Sequence, residues 1–423
     1  MKNLTYLVAV LSLVAFGAFN YIGCGGGESG SSAATSDTAF SAPTGVVAAA
    51  GDTQVIVSWN IVSDATSYNI YWSTTSGVIT ATGIQISDVT SPYTHTGRIN
   101  GTPYYYVVTA VNTVGEGSKS AEVSATPIKI LTPVLTGTYD TSGQARKIYV
   151  SGSYAYVADG LSGLQVISIS NPAAPALVGS YDTPGYATGV YVSGSYVYVP
   201  DGTSGLLIID ISNPAVPTMV GSYDTSGYAG SVYVVGSYAY VADESSGLQI
   251  IDISNPATPT LVGLYDTPGY AYGVYVAGSY AYVADNTSGL QIIDISNPAT
   301  PTLVASYDTL GSAMGVYVAG AYAYVADGST GLQIIDISNP AVLTLVGSYN
   351  TLGSAMGVYV AGFYAYVADG PTGLQIINIS NPAVSILVGS YDTLGSAEGV
   401  YVAGSYAYVA DGLSGLQIIG GIE

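Results

Sequence analysis

The chain repeats one six-residue segment, Tyr154-Ala155-Tyr156-Val157-Ala158-Asp159, at a constant interval of 42 residues. With small changes the segment recurs six more times, ending at Asp201, Asp243, Asp285, Asp327, Asp369 and Asp411. A second marker, an Asp-Thr pair that begins at Asp140 and becomes Asn-Thr at Asn350, keeps the same period. A fixed period of this length predicts a repeat architecture with seven units.

Each repeat unit contains four short runs of sheet-forming residues. In one copy these runs lie at 189–192, 196–201, 206–211 and 218–223, and turns rich in Gly, Ser, Asn and Pro separate them. Four strands in about 40 to 45 residues is the spacing of a β-propeller blade. A β-helix coil would be shorter, and membrane-spanning strands would be longer. The sequence therefore predicts an all-β chain whose residues 131–423 form a seven-bladed β-propeller.

The two ends of the repeat region predict how the ring closes. An outer-type strand at 133–139 precedes the first unit, and the last unit ends at 416–419 without an outer strand. We expect the N-terminal strand to pair into the seventh blade, because this pairing removes an exposed sheet edge and ties together blades that otherwise touch only their neighbours.

The units also resemble a known family. The segment GLQIIDISNP at 289–298 is similar to the LVIVD repeat, named for an apolar run that ends in Asp, and the resemblance covers nearly all of 131–423. Three units depart from the pattern at the Asp position, with Ser168, Asn378 and Gly420. The resemblance implies a surface-exposed binding or structural propeller, and it brings no established catalysis.

A smaller domain is expected at 42–127. Strand-like runs at 54–59, 67–72 and 104–112, with turn residues between them, predict one immunoglobulin-like antiparallel sandwich. The span resembles a fibronectin type III module, with Trp59 at the position of its core tryptophan and Tyr104 at that of its corner tyrosine. The resemblance implies structural roles for both residues. The Arg-Gly-Asp tripeptide is absent, so a spacer is the simplest role.

The N-terminus predicts export and a lipid anchor. Lys2 precedes an apolar run at 7–19, which is typical of a secretory signal peptide, here 1–23. The sequence YIGC at 21–24 resembles the lipobox of bacterial lipoproteins, which implies diacylation of Cys24, the single cysteine. Residues 24–41 form a flexible tether of mainly small residues. We expect the protein in the cell envelope, anchored to the outer membrane or cell surface, with membrane contact only through the lipid.

Charge excludes several ligand classes. Lys147 is the last basic residue, and 19 carboxylates follow it without a Lys, Arg or His. Nucleic acid requires a basic patch, so it is excluded as a partner. Anionic lipid surfaces and phosphorylated ligands are disfavoured for the same electrostatic reason.

The repeated aspartates are expected to cap turns, since Asp side chains readily accept hydrogen bonds from nearby backbone. Asp159 and its equivalents precede turn residues, as Asp210 and its equivalents precede Ser-Asn-Pro turns. Carboxylates spread around a ring are too far apart to enclose one metal ion, so we predict no metal site and no cofactor, which leaves room only for weak Ca²⁺ binding at the periphery. The propeller after Lys147 also lacks the His, Lys or Cys that usually activates a nucleophile, so we predict no catalytic residues.

Function is expected where the units differ, because shared residues are explained by shared structure. Two variable columns lie between an outer strand and the next inner strand, a connection that rings the channel mouth of a propeller. The first column reads Arg146, Thr188, Gly230, Tyr272, Met314, Met356 and Glu398. The second column, two residues earlier, reads Gln144, Tyr186, Tyr228, Tyr270, Ser312, Ser354 and Ser396.

Nine residues of these columns form the predicted ligand-binding site: Arg146, Tyr186, Thr188, Tyr228, Tyr270, Tyr272, Met314, Met356 and Glu398. The tyrosines offer a flat face and a hydroxyl at low entropic cost, which suits sugar or peptide ligands. Drift at tolerant loop positions is the alternative explanation of the variation.

Three functions stay open. The first is a non-enzymatic, monomeric cell-surface interaction protein that binds a polysaccharide or an extracellular protein through the propeller face. The second is a carbohydrate-active enzyme with paired carboxylates, for which Glu398 and Asp411 in one repeat are the only hint. The third is a periplasmic assembly scaffold. Near-identical blades favour the first over the second, because acid and base roles require unlike environments.

Overall fold

The computed structural model describes residues 41–423, which form two compact units containing 35 β-strands. Two sheets belong to a small sandwich and seven sheets to a ring. The predicted signal peptide at 1–23, the predicted lipidation site Cys24 and nearly all of the tether lie outside the described residues. Within 41–423, no helix is both long enough and apolar enough to cross a membrane.

The sandwich contains the first seven strands. They are β1 (Val47–Gly51), β2 (Gln54–Ser58), β3 (Ser67–Ser73), β4 (Ile84–Val89), β5 (Tyr93–Thr96), β6 (Tyr104–Val111) and β7 (Val123–Ala125), in sheets of order β1-β2-β5 and β4-β3-β6-β7. Trp59 and Tyr104 are buried, as the fibronectin resemblance implies. Trp59 packs 5.2 Å from the Tyr68 ring and Tyr104 packs 5.7 Å from the Trp72 ring, so both aromatic residues serve the core.

The ring consists of seven four-stranded antiparallel blades, as predicted. The first blade contains β9 (Lys147–Ser151), β10 (Tyr154–Ala158), β11 (Leu164–Ser168) and β12 (Ala176–Tyr181). The second and third contain β13 (Tyr191–Ser193), β14 (Tyr196–Pro200), β15 (Leu206–Asp210), β16 (Thr218–Tyr223), β17 (Ser231–Val235), β18 (Tyr238–Ala242), β19 (Leu248–Asp252) and β20 (Thr260–Tyr265).

The remaining blades keep the same plan. The fourth, fifth and sixth contain β21 (Gly273–Ala277), β22 (Tyr280–Ala284), β23 (Leu290–Asp294), β24 (Thr302–Tyr307), β25 (Gly315–Ala319), β26 (Tyr322–Ala326), β27 (Leu332–Asp336), β28 (Thr344–Tyr349), β29 (Gly357–Ala361), β30 (Tyr364–Ala368), β31 (Leu374–Asn378) and β32 (Ile386–Tyr391). The seventh contains β33 (Gly399–Ala403), β34 (Tyr406–Ala410), β35 (Leu416–Gly420) and the N-terminal strand β8 (Val134–Tyr139). Strand β8 pairs with β35, Tyr139 opposite Leu416, which confirms the predicted closure.

The hydrophobic core lies between adjacent blades. One cluster, for example, joins Tyr156 and Val166 of the first blade to Val197, Leu207 and Ile209 of the second. Because successive side chains on a strand point to opposite faces and each blade is covered on both, the middle strands are apolar at nearly every position. An equivalent cluster joins the seventh blade to the first, so the closure is packed like every other blade boundary.

Candidate binding site at the propeller mouth

A buried aspartate in every blade ties the turn between the second and third strands to the connection that enters the blade. Asp243 accepts hydrogen bonds from the Thr225 hydroxyl at 2.6 Å and the Gly227 amide at 2.8 Å. All seven equivalents are fully buried. These aspartates accept backbone N–H bonds as predicted, but the donating amide lies 16 residues earlier in the entering connection and not in the turn that follows the aspartate. Both connections lie at one end of the ring, here called the mouth face. Within 41–423, no group of three or more His, Cys, Asp or Glu is placed to hold a metal ion.

These carboxyls give the ring a pH dependence opposite to that of the sandwich. Burial raises the pKa of all seven aspartates above the ordinary value of 3.8. This effect outweighs the hydrogen bonds from threonine and glycine, which lower the pKa. Between pH 3.8 and the raised pKa values, the folded ring therefore binds protons more tightly than the unfolded chain. Its stability should rise as the pH falls through this interval. In the sandwich, burial alone would raise the pKa of Glu116, but hydrogen bonds from Thr109, Asn69 and Tyr71 outweigh it and lower the pKa. The sandwich should therefore lose stability on acidification.

Two optical signals separate the units. Both tryptophans lie in the sandwich, so tryptophan fluorescence follows that unit, while far-UV circular dichroism follows mainly the ring. From about pH 7 to about pH 3 we expect the dichroism midpoint temperature to rise and the fluorescence midpoint to fall. Asp243→Asn, which removes one titrating group, should flatten the dichroism slope. A dichroism midpoint that falls over this interval would contradict the prediction. Serine hydrogen bonds lower the pKa of four exposed aspartates, but solvent screens their effect.

Bridges between neighbouring blades place the variable columns at the mouth. An alanine in each entering connection is fully buried and pairs with the preceding blade, as Ala187 does with Gly160 and Ala271 with Glu244. Residues on either side of a buried position in an extended chain point away from it. The two variable columns flank this alanine, so their side chains face the mouth and the upper channel.

The structure brings seven of the nine predicted site residues together around one cavity of about 90 Å³, here called the mouth cavity. Its wall consists of Arg146, Lys147, Thr188, Tyr228, Gly230, Glu244, Tyr272, Met314, Met356 and Glu398. Aromatic and thioether side chains form one part of the wall, and charged side chains form another. Tyr186 and Tyr270 do not line the cavity.

Four polar residues in the connections that enter the seventh, first and second blades bind one another. Arg146 Nη1 lies 2.5 Å from Glu398 Oε2, and Gln144 Nε2 donates to Glu398 Oε1 at 2.8 Å. The Tyr186 hydroxyl donates to Gln144 Oε1 at 2.6 Å, and the Arg146 guanidinium lies 5.9 Å from the Tyr186 ring centre. Both oxygens of Glu398 are therefore engaged, and this network reinforces the ring closure. Thr188 is engaged as well, since its hydroxyl lies 2.7 Å from the Ala229 carbonyl oxygen.

Lys147 lies at the floor of the mouth cavity, a position that sequence reasoning did not select. Its ammonium donates to the carbonyl oxygens of Met356 at 3.1 Å and Glu398 at 3.0 Å. Burial and the charge of Arg146 lower the pKa of Lys147 to about 8, against the attraction of Glu398. The signal was present in the sequence, because the other six blades have Gly or Ser at this position and leave space for one long side chain.

One side chain divides the four tyrosines of the predicted site, which are Tyr186, Tyr228, Tyr270 and Tyr272. Tyr186 and Tyr228 lie over glycines of the preceding blade, and a Cβ added at Gly160 or Gly202 would meet these rings at 2.9 Å. In the third blade Glu244 replaces the glycine found at Gly160 and Gly202. Its side chain prevents the Tyr270 ring from lying over the preceding blade as Tyr186 and Tyr228 do. Tyr270 is 49 % exposed and stacks on Tyr272 at 6.4 Å.

Below the mouth cavity a closed ring of seven tyrosines lines the channel, also missed from the sequence. Ring centres of neighbours are 4.7 to 5.0 Å apart, and their planes differ by 46 to 55°, close to one seventh of a turn, about 51°. The members are Tyr149, Tyr191, Tyr233, Tyr275, Tyr317, Tyr359 and Tyr401. Burial and the phenol of Tyr149 raise the pKa of Tyr191 to about 12, so this phenol is neutral in ordinary buffers. The sequence did contain a signal for this ring, because all seven units have tyrosine at the same position of the innermost strand.

Family models match both units. The LVIVD repeat model matches seven consecutive segments, 142–183, 184–225, 226–267, 268–309, 310–351, 352–393 and 394–419. The chain belongs to the LVIVD repeat family. The fibronectin type III domain model matches residues 41–126, so the sandwich is a fibronectin type III domain.

Solved propellers share the fold at low sequence identity. The WD40 β-propeller domain of Doa1 covers 69 % of this chain and 97 % of its own length, with a TM-score of 0.57 and 10 % identity. The Cps50 (Swd1) β-propeller domain of Myceliophteria thermophila covers 68 % and 99 %, with a TM-score of 0.56 and 12 % identity. At these identities the likeness concerns the fold alone.

Two named proteins match over short segments. A poly(3-hydroxybutyrate) depolymerase of Ralstonia pickettii is 42 % identical over 122 residues, 28 % of this chain and 23 % of the relative. An amylopullulanase of Thermoanaerobacter thermohydrosulfuricus is 41 % identical over 86 residues, 20 % of this chain and 6 % of the relative. The chain thus spans less than a quarter of either relative.

Proposed function

We propose that this β-propeller repeat protein is a non-enzymatic interaction protein of the cell surface, which binds a polysaccharide or a protein partner through the mouth cavity. One observation carries the proposal: residues that differ between otherwise near-identical blades converge on a single concave site with apolar and charged walls. Concave sites of mixed character, with few polar groups for orientation, are typical of ligand binding. Tyr228 and Tyr272 supply faces suited to a sugar ring.

Export and anchoring are part of the proposal. The signal peptide and lipobox pattern support transfer across the inner membrane and acylation of Cys24. Metabolic labelling with a radioactive fatty acid should label the wild-type chain and leave Cys24→Ala unlabelled, and protease treatment of whole cells should then distinguish surface display from a periplasmic scaffold.

The absence of catalysis is also proposed, on the state of the carboxylates. Glu398 is committed to Arg146 and Gln144, and Asp411 to Thr393 and Gly395, so neither is available as an acid or base. One observation favours the rival reading of a carbohydrate-active enzyme: Glu244 lines the mouth cavity, and burial raises its pKa. Hydrolysis of an oligosaccharide panel by the wild type but not by Glu244→Gln would establish that reading and overturn the present one.

A binding experiment tests the main proposal. The chain 41–423 is applied to an array of glycans and cell-wall polymers beside the double variant Tyr228→Ser/Tyr272→Ser. Loss of the two rings should weaken binding at least about tenfold, since stacked aromatic contacts are each worth about 1 kcal/mol. Phe363→Ser, which removes a 69 % exposed aromatic side chain at the opposite end of the blades, is the matched control and should bind normally. Equal binding by the double variant would remove the mouth cavity from consideration.

A further inference from the structure

The mouth face carries a group of almost fully exposed leucines on four consecutive blades. Leu310, Leu352 and Leu394 lie in the connections that enter the fifth, sixth and seventh blades and are 85 to 89 % exposed. Leu413 and Leu161 lie in the turns between the second and third strands of the seventh and first blades, and they are 79 % and 75 % exposed. We call these five residues the leucine rim. None of them lines the mouth cavity.

Hydrogen bonds join the leucine rim into one arc. Thr393 and Gly395, on either side of Leu394, both bind the carboxylate of Asp411, two residues before Leu413. The bridges between blades then connect each turn to the next entering connection: Gly328 to Ala355, Gly370 to Ala397 and Gly412 to Ala145. In the remaining copies of the two positions the chain has only Ser, Thr or Pro. The exposed leucines are therefore confined to one side of the mouth face.

Folding does not explain these leucines. An exposed apolar side chain contributes no hydrophobic stabilisation to the fold, because its surface stays in contact with water. Leu310 and Leu352 also have φ of 66° and 68°, in the left-handed region that bulky side chains disfavour. Exposed apolar groups and retained backbone strain both concentrate at sites of interaction.

The surroundings of the leucine rim are acidic. Each entering connection except one carries an exposed carboxylate at its start: Asp140, Asp182, Asp224, Asp266, Asp308 and Asp392. No Lys or Arg follows Lys147 in the sequence. A surface of this kind attracts positive charge and repels anionic lipid and a second copy of this chain, whose net charge is −21.

We propose that the leucine rim docks a protein partner whose contact surface presents apolar and basic side chains together. This surface is separate from the mouth cavity and is formed mainly by the blades that lack tyrosine in the second variable column. It goes beyond the proposed function by adding a second binding surface to the same face.

The test uses a fluorescent amphipathic helical peptide of leucine and lysine, titrated into the chain 41–423 and followed by anisotropy. The variant Leu310→Asn/Leu352→Asn/Leu394→Asn should bind at least about tenfold more weakly. Asparagine tolerates the left-handed conformation, so this variant should keep or raise the midpoint temperature while it loses binding. Wild-type binding should weaken as salt is added. The control Val216→Asn/Val342→Asn/Val384→Asn removes valines that are 59 to 61 % exposed in the loops at the opposite end of the blades, and it should bind normally.

Three results would overturn the proposal. Equal binding by the leucine variant would mean that charge alone attracts the peptide. Equal binding of a peptide with glutamate in place of lysine would remove the charge complementarity. Leucine-dependent binding to phosphatidylcholine vesicles, without peptide binding, would make the rim a membrane contact. Tyr228→Ser/Tyr272→Ser should bind the peptide normally, so failure of this proposal and failure of the proposed mouth-cavity function are distinguishable.

Discussion

Gly205→Ala should lower the free energy of unfolding by about 2 to 5 kcal/mol. Gly205 ends the turn between β14 and β15 with φ +74°, where any other residue costs about 1 to 2 kcal/mol. A Cβ at this position would also lie 2.2 Å from the carbonyl oxygen of Tyr223 and 2.5 Å from the amide nitrogen of Thr225. Both are backbone atoms that hold the mouth face together, so relief would require movement of the connection, at a further cost of about 1 to 3 kcal/mol.

The same blade provides a matched control. Gly194, in the hairpin between β13 and β14, has φ +59°, but an added Cβ would meet no atom within 4 Å. Gly194→Ala should therefore cost only the conformational strain, about 1 to 2 kcal/mol. Urea denaturation followed by circular dichroism measures both variants. Equal losses would show that the close approach at Gly205 does not constrain the fold.

Removal of the closing strand should cost about 6 kcal/mol, comparable with the whole stability of many domains. Strand β8 forms one full edge of the seventh blade, and Leu131 before it is buried in the cluster between the sixth and seventh blades. We estimate about 1 kcal/mol for each of about four backbone hydrogen bonds and about 2 kcal/mol for the leucine. The exposed edge of β35 would in addition promote aggregation.

Two shortened chains isolate this effect, because both lack the sandwich. The chain 129–423 keeps β8, whereas the chain 141–423 lacks it and retains Thr141 for its hydrogen bond to Asp159. The midpoint of thermal unfolding should be much lower for the second chain, and a synthetic peptide of residues 129–140 should restore part of the difference. Identical midpoints would mean that the ring does not depend on the N-terminal strand.

The fold was predictable from the sequence to an unusual extent because its information is repeated seven times. A 42-residue period, four sheet-forming runs in each unit, an outer-type strand before the first unit and the lack of one in the last unit are sufficient to predict both the number of blades and the closure. The buried aspartates were predictable as acceptors for backbone amides. Their partners were not, because the donating glycine lies 16 residues earlier, in the entering connection.

The site was predictable only in part. Comparison of the seven units identified most of the mouth cavity, because the cavity is formed by the positions that vary. The comparison did not identify the tyrosine ring, because that position does not vary between units. It also missed Glu244, because this residue lies in the turn between the second and third strands and not in the variable columns. The bond between Arg146 and Glu398 joins residues far apart in sequence, so it follows from closure and not from local pattern. The leucine rim was missed because exposure cannot be inferred from a single leucine in a loop.

Methionine methyl groups offer the most direct test of the mouth cavity as the binding site. The chain 41–423 contains three methionines: Met314 and Met356 line the cavity, and Met219 lies on the outer strand β16 and is 46 % exposed. In a titration of the ¹³C-methyl-methionine-labelled chain with soluble fragments of a polymer that it binds on the array, we expect the signals of Met314 and Met356 to shift together while that of Met219 stays in place. Saturable binding that shifts Met219 alone, or none of the three, would contradict a binding site at the propeller mouth.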